Sequence, residues 1–366
     1  MQKPEVQALV KSGNMLRLLR LMREARVEAA GLFDVFQQAA QEADFVVASA
    51  GLGGVEIAGQ RGLPAAAAFL APFAPTRAFP AFFLPLRFSP GGGYNYLTHT
   101  LFLRVSWAAF GGPLNHWRAT RLNLPPWRSF QEMYDYAHRS FGTPWLLGYS
   151  PNVLPKPLDW EEHHHVTGYW FLDAPPEWQP PADLWRFLES GPPPVYVGFG
   201  SMSHEDPERQ TRLALRALEL TGQRGVLATG WGGVTQLAPS ASVCYVDNVP
   251  HAWLFPRLAA VVHHGGAGTT GVGLRAGVPS IIVPFNFDQF AWAEQVVKLG
   301  VGPRAPQVKR LTAEKLAQAI HTAVTDSALR ARAAALGEKI RAENGVARAV
   351  EIIERHALTF KSHQKS

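Results

Sequence analysis

A glycine-rich turn between a strand and a helix carries the strongest chemical signal in this sequence. The apolar strand predicted at 259–263 leads into the run HHGGAGTT, residues 263–270, which opens a helix predicted at 268–276. Backbone N–H groups without partners and the positive end of the helix dipole attract an anion there, and glycines let the backbone approach it closely. The turn therefore predicts a phosphate-binding site.

The same turn also matches the dinucleotide-binding pattern G-x-G-x-x-G. Gly266 and Gly268 occupy its first two glycine positions, and Asp288 follows about 20 residues later, where the pattern requires an acidic residue. However, Asp288 lies beyond the end of the strand predicted at 280–283 rather than at its tip, and the pattern gives no reason for His264. An NAD-dependent oxidoreductase is therefore an alternative hypothesis.

The elements that must position this turn alternate as in a parallel α/β sheet. After a helix at 15–42, strands are predicted at 45–48 and 65–69 on either side of a helix at 55–61. Beyond a proline-rich linker at about 151–194, the predicted strands are 195–199, 225–228, 243–246, 259–263 and 280–283, and the predicted helices include 207–220, 268–276 and 288–299. This pattern predicts two doubly wound, Rossmann-like domains whose sheets face a cleft with their carboxyl ends.

Five motifs in fixed order make the chain resemble a known family. They are the segments 194–202, 247–256, 263–270, 277–279 and 284–289. Together they resemble the donor-binding half of the bacterial sterol-glucosyltransferase-like enzymes, which belong to the GT-B UDP-glycosyltransferase superfamily with glycopeptide-antibiotic and plant small-molecule glycosyltransferases. The segments 75–80 and 167–170 extend the resemblance over nearly the whole chain.

The resemblance implies an acceptor-binding domain at 1–165 and a nucleotide-sugar donor-binding domain at 166–366, with the C-terminal helix packing back on the first domain. It assigns the donor diphosphate to Ser201, His264, Gly266, Gly268 and Thr269, the uracil base to Asn248, Val249 and Pro250, and the sugar hydroxyls to Asp288 and Gln289. Hydrogen-bond donors would stabilise the charge of the leaving group, so that no metal and no cofactor beyond the UDP-sugar co-substrate is expected. Relatives often carry Asp at Ala252, and plant relatives place a ribose-binding Glu at Val272, which leaves ribose recognition open.

The usual catalytic base has no counterpart in this sequence. Family members begin with a strand and a turn of the form S-R-G-D-V-Q-P, whose acidic residue deprotonates the acceptor hydroxyl. We expect the first domain to be incomplete by roughly sixty residues, at about 30 residues per βα unit. His99 and His116 are candidate substitute bases, although a structural role is favoured for both.

The resulting hypothesis is an inverting, metal-independent hexosyltransferase. It would transfer a hexose, with glucose expected, from a UDP-sugar to a hydroxyl of a lipophilic acceptor such as a sterol, a lipid or a polyketide. The aromatic stretch 69–88 is predicted either to line the acceptor pocket or to serve as ordinary core. A non-catalytic nucleotide-sugar-binding homologue is a further alternative, because the base segment is missing.

Composition argues against other classes. The chain has 35 lysines and arginines against 29 acidic residues, and this charge of +6 without a binding motif does not predict a nucleic-acid partner. A lone cysteine, Cys244, excludes a disulfide framework and a cysteine-based zinc site. Neither a signal peptide nor an uninterrupted apolar span is recognisable, which predicts a cytoplasmic protein.

Two weaker patterns remain open. Arg17, Arg20 and Arg23 recur on one predicted helix face, which could make weak peripheral contact with anionic lipid, but a solvated face is favoured. The histidine run 163–165 could hold a metal, because alternate residues of an extended segment share a face, but a solvated linker is favoured. The oligomeric state is not predicted.

Overall fold

A computed structural model describes residues 26–49, 53–86, 88–200, 206–229, 234–237 and 241–364. Within these ranges the chain forms two parallel sheets, one of four strands and one of five. The arrangement is the α/β architecture that the sequence predicts. Ser201 and the arginine face at residues 17–23 lie outside the described residues.

The first sheet has its strands in chain order. Its strands are β1 (Val46–Ser49), β2 (Ala65–Phe69), β3 (Trp145–Leu147) and β4 (His164–Val166). The helices of this half are α1 (Arg26–Ala39), α2 (Gly54–Arg61), α3 (Gly92–Trp117), which continues into a π-helical turn (Arg118–Leu122), and α4 (Phe130–Phe141). Ser129 caps α4 by accepting a hydrogen bond from the Glu132 N–H, and Gly142 ends it with a φ of 64°.

The predicted linker is wrong in one part. Residues 164–166, which fall inside the predicted stretch 151–194, form β4 and pair with β3 in parallel register. His164 and Val166 are buried, so the histidine run belongs to the edge of a sheet rather than to a solvated linker. The predicted boundary between residues 165 and 166 therefore falls within a strand, because a short run among prolines gives no periodic pattern by which to recognise it.

The second sheet has the order β7-β6-β5-β8-β9, with all strands parallel. Its strands are β5 (Val195–Gly198), β6 (Gly225–Ala228), β7 (Val243–Val246), β8 (Ala260–His263) and β9 (Ser280–Ile282). The helices of this half are α5 (Ala182–Glu189), α6 (Pro207–Thr221), α7 (His251–Leu254), α8 (Ala267–Ala276), α9 (Gln289–Lys298), α10 (Ala313–Thr325), α11 (Ser327–Arg341) and α12 (Gly345–Gln364), with 3₁₀ turns at Phe255–Arg257 and Val308–Arg310. Strands β5 and β8 are fully buried apolar runs, as expected for strands covered on both faces.

The two halves share one apolar core. Trp292 of α9 is completely buried, and the ring of Phe82 from the first half meets it edge to face at a centroid distance of 4.8 Å. Helix α12 returns to the first sheet, where Ala349 packs against Ala66 and Leu146. No helix among the described residues is long and apolar enough to cross a lipid bilayer.

Candidate donor site at the carboxyl edge of the second sheet

Glycines shape the turn between β8 and α8. Gly265 has a φ of 93°, and a Cβ atom there would lie 2.5 Å from Ile282 Cγ2 and 3.3 Å from the Gln289 carbonyl oxygen. A side chain is therefore excluded twice, by the left-handed backbone and by close packing. The first helical hydrogen bond runs from the Thr270 N–H to the Gly266 carbonyl, so the N–H groups of residues 267–269 have no acceptor within the helix.

The imidazole of His264 lies between two glycines from different strands. Cβ atoms placed on Gly266 and Gly200 would come within 2.5 Å of its Nε2 and 3.0 Å of its Cε1, respectively. Burial, together with a smaller contribution from His251, lowers the pKa of His264 to about 4, so the ring is neutral at pH 7. Its Nδ1 is buried and has no hydrogen-bond partner in the described part of the chain. A neutral imidazole in this position has one N–H to donate to a ligand.

The neighbouring histidine has a different role. His263 is fully buried, and its Nδ1 accepts a hydrogen bond of 3.1 Å from the Gly265 N–H. This bond ties the backbone of the turn to the end of β8. Burial holds the pKa of His263 well below its usual value.

The predicted diphosphate residues within the described chain come together at the start of α8. Gly268 is exposed, and a Cβ atom there would meet nothing within 4 Å. Thr269 is half-buried beside it. The helix N-terminus is thus open to a ligand on the side where Gly266 and His264 lie. The fifth predicted residue, Ser201, lies outside the described residues.

The predicted sugar residues occupy the loop after β9. Asp288 Oδ2 accepts a hydrogen bond of 3.0 Å from the indole N–H of Trp292, one helical turn later. Burial raises the pKa of Asp288 above its usual value, and the hydrogen bond from Trp292 offsets only part of that rise. Although Asp288 is the N-cap residue of α9, its side chain makes no capping hydrogen bond to that helix.

Gln289 holds the loop together. It is buried, and its Oε1 accepts hydrogen bonds from the backbone N–H groups of Phe285 and Asn286 at 2.8 and 3.2 Å. Its Nε2 donates to Asn286 Oδ1 at 3.3 Å. This network places Phe287 at a φ of 48°, with 43% of its surface exposed next to Asp288.

The predicted nucleobase residues follow β7. Asn248 is exposed with a φ of 42°, Val249 is half-buried against the core below, and Pro250 precedes α7. His251, the first residue of that helix, stacks on Phe255 at a centroid distance of 4.5 Å, and its Nε2 lies 3.1 Å from the Tyr196 hydroxyl. These contacts hold the Asn248 turn against the end of the sheet.

The candidate substitute bases lie in α3 and differ in their surroundings. His99 is buried, its Nε2 lies 3.0 Å from the Phe79 carbonyl oxygen, and burial lowers its pKa. This is the environment of a structural histidine. His116 is exposed near the end of the helix.

Two positions escaped sequence reasoning. Trp292 orients Asp288, and the spacing of four residues within one helix is the signal that could have revealed it. Gly200, by contrast, touches the His264 ring only because β5 and β8 are neighbours in the sheet. No local pattern predicts that contact.

Comparison with known proteins finds similarity to glycosyltransferases. Residues 232–355 match the family "Erythromycin biosynthesis protein CIII-like, C-terminal domain". A sterol 3-beta-glucosyltransferase from Cryptococcus neoformans var. neoformans serotype D is 39% identical over 354 residues, which cover 90% of this chain and 22% of that protein. This chain is similar to the sterol 3-beta-glucosyltransferases over most of its own length. It spans about a fifth of the length of this fungal relative.

Solved structures show the fold that this chain shares. The glycotransferase of kitacinnamycin superposes with a TM-score of 0.66 at 20% identity, over 93% of this chain and 83% of the other. The spinosyn rhamnosyltransferase SpnG, solved with thymidine diphosphate, superposes with a TM-score of 0.60 at 17% identity, over 96% and 84%. The architecture is therefore GT-B, as the sequence motifs predict.

Proposed function

We propose that the chain transfers a hexose from a nucleoside diphosphate sugar to a hydroxyl of a lipophilic acceptor. The observation that carries this proposal is the order of the subsites along the second sheet. Asn248 follows β7, His264 and Gly200 follow the central strands β8 and β5, and Asp288 follows the edge strand β9. Base, diphosphate and sugar of one extended ligand would meet these positions in sequence, since parallel strands end at the same edge.

The site would act on the leaving group. The acceptor oxygen bonds to the anomeric carbon and its hydroxyl proton passes to water. The bond from that carbon to the diphosphate oxygen breaks, and negative charge develops on the diphosphate. The His264 N–H and the N–H groups of residues 267–269, which have no acceptor within the helix, would stabilise that charge. Hydrogen-bond donors alone can supply this stabilisation, and we propose that the step uses no metal ion and no further cofactor.

The acceptor is proposed to be a sterol with a 3β-hydroxyl, because the fungal relative is named for that activity. The aromatic stretch of the first half offers apolar surface for it. Phe69 and Phe82 are buried, whereas Phe73, Phe79 and Phe83 are only partly buried. The proposed nucleotide is UDP, and thymidine diphosphate, which accompanies the spinosyn enzyme, is the competitor to test.

The experiment combines binding and turnover. Calorimetric titration with UDP, thymidine diphosphate and NAD is followed by incubation with UDP-glucose and ergosterol, with detection of the steryl glucoside by mass spectrometry. We expect UDP to bind most tightly and the glucoside to form. Binding of NAD without binding of UDP would favour an oxidoreductase. Binding of UDP without product from sterols or other lipophilic alcohols would favour a non-catalytic nucleotide-sugar binder.

A further inference from the structure

A cluster of potential metal ligands lies at the amino end of the first sheet. His138 belongs to the last turn of α4, whereas Glu161 and His163 precede β4. One ligand atom from each of these three side chains lies within 4.8 Å of those of the other two. The histidine run alone would pair His163 with His165, but the fold brings His138 to His163 instead.

The contacts within the cluster are tight and leave a buried nitrogen unused. The imidazoles of His138 and His163 stack with centroids 3.7 Å apart, and His163 Nδ1 lies 3.5 Å from Glu161 Oε2. His138 Nδ1 is buried and has no hydrogen-bond partner among the residues that the structure describes. A buried ring nitrogen without a partner is unfavourable, and such nitrogens in proteins are normally satisfied.

We propose that His138, Glu161 and His163 bind a Zn²⁺ ion. Two imidazoles and one carboxylate are ligands that zinc prefers, and bonds of about 2.0–2.2 Å place tetrahedral ligands about 3.4 Å apart. Binding would require the two imidazoles to leave their stack, so that the ring edges carrying the ligand nitrogens turn toward one point. The fourth position is left to water.

The surroundings are compatible with a cation. Two positive groups lie nearby: the Lys156 ammonium donates to the Glu161 carbonyl oxygen at 2.8 Å, and Arg139, next to His138, pairs with Asp135 at 3.6 Å. Asp135, one turn before His138 in α4, adds a second carboxylate on that side of His163. Since the cluster lies at the amino end of a parallel sheet, opposite the edge that faces the donor, the ion would join α4 to β4 and take no part in sugar transfer.

The test uses the untagged chain, stripped with EDTA and dialysed against ZnCl₂, with bound zinc measured by mass spectrometry and the melting temperature by calorimetry. Glu161→Gln keeps an exposed side chain of the same shape and removes one ligand, and His138→Ala removes another. His165→Ala is the matched control, because His165 lies in β4, two residues after His163, and is outside the cluster.

For the wild type and for His165→Ala, we expect one bound zinc per chain and a melting temperature higher with zinc than after stripping with EDTA. Glu161→Gln should bind zinc more than about tenfold more weakly, since even outer partners of metal ligands are worth that factor. Absence of retained zinc in the wild type, or equal affinity in Glu161→Gln, would overturn the proposal. Both results are independent of UDP binding and turnover, so they leave the proposed function to its own test.

Discussion

The two sheets differ at the edges that face the cleft. At the edge of the second sheet the backbone itself can be approached closely, because Gly200, Gly265 and Gly266 carry no side chains. Backbone N–H groups and the His264 imidazole are therefore available to a ligand there. The first sheet ends in packed rings, with Phe69 and Phe73 stacked at a centroid distance of 5.1 Å and Phe82 against Trp292 of the other half. A charged ligand needs the first kind of edge and an apolar ligand the second.

Under the proposed function, this difference would divide the recognition of two substrates between the two edges. The polar edge consists of short loops that each follow one strand, so each loop depends mainly on its own strand and leaves its backbone open to a ligand. The apolar edge is built from rings that fill each other's gaps, so it also holds the two halves together. Trp292 connects the two, because one side of its indole meets Phe82 and its N–H meets Asp288.

The largest effect is expected from His264→Ala. The variant should weaken UDP binding by about 1.5–3 kcal/mol, the usual value of a hydrogen bond to a charged group. Calorimetric titration at pH 7 measures the change in UDP affinity. The free energy of unfolding should change little, because the buried Nδ1 of His264 has no hydrogen-bond partner among the described residues. The contrasting variant is His251→Ala, which removes a ring that holds the Asn248 turn and should therefore lower stability as well as UDP affinity. Unchanged UDP affinity in His264→Ala would remove this residue from the site.

The link between the two edges is tested by Trp292→Phe. Phenylalanine keeps most of the apolar contact but leaves Asp288 without its donor, and the loss of a partner for a buried polar group costs about 1–3 kcal/mol of stability. We also expect UDP-glucose to bind more weakly while UDP itself is unaffected. Trp160→Phe is the matched control, because the Trp160 indole donates to the Pro75 carbonyl oxygen instead. This variant should leave the ratio of UDP-glucose affinity to UDP affinity unchanged. An equal loss for UDP and UDP-glucose would contradict the role given to Asp288.

The open edge also predicts a dependence of stability on pH. His264 and His251 both have a pKa of about 4 in the fold, below the value of about 6.5 in an unfolded chain. Between these values the unfolded chain binds more protons, so the free energy of unfolding should fall as the pH drops from about 6.5 to 4, by at most about 1.4 kcal/mol per pH unit for each histidine. Urea unfolding at several pH values measures the slope. His264→Ala should flatten it, and an identical slope would show that this ring is not held neutral by the fold.

The smallest effect on stability comes from Gly268→Ala. Alanine in a helix is favoured over glycine by about 0.5–1 kcal/mol, and the space around this position is empty. The variant should therefore melt slightly higher, yet bind UDP more weakly, because its methyl group covers the N–H groups at the helix start. Gly266→Ala provides the contrast, since its Cβ would displace the His264 ring and should reduce both properties. Improved stability with intact UDP binding in Gly268→Ala would place the diphosphate elsewhere.

Much of the donor edge was predictable because its parts are contiguous. The strand, glycine turn and helix around His264 occupy one short run, and their periodicity and glycine positions are dictated by local sterics. The order of the motifs added the GT-B fold. Strand β4 escaped prediction because three residues among prolines carry no period, and its place was decided by pairing with β3.

The sequence by itself determined the α/β alternation, the glycine-rich turn between β8 and α8 and the resemblance to glycosyltransferases. Tertiary structure decided which loops meet: Gly200 under His264, Phe82 against Trp292, and His138 beside His163. The physical reason is the range of the forces involved. Backbone conformation and helix dipoles act within a few residues, whereas contacts between distant segments depend on the strand order and on how the shared core closes.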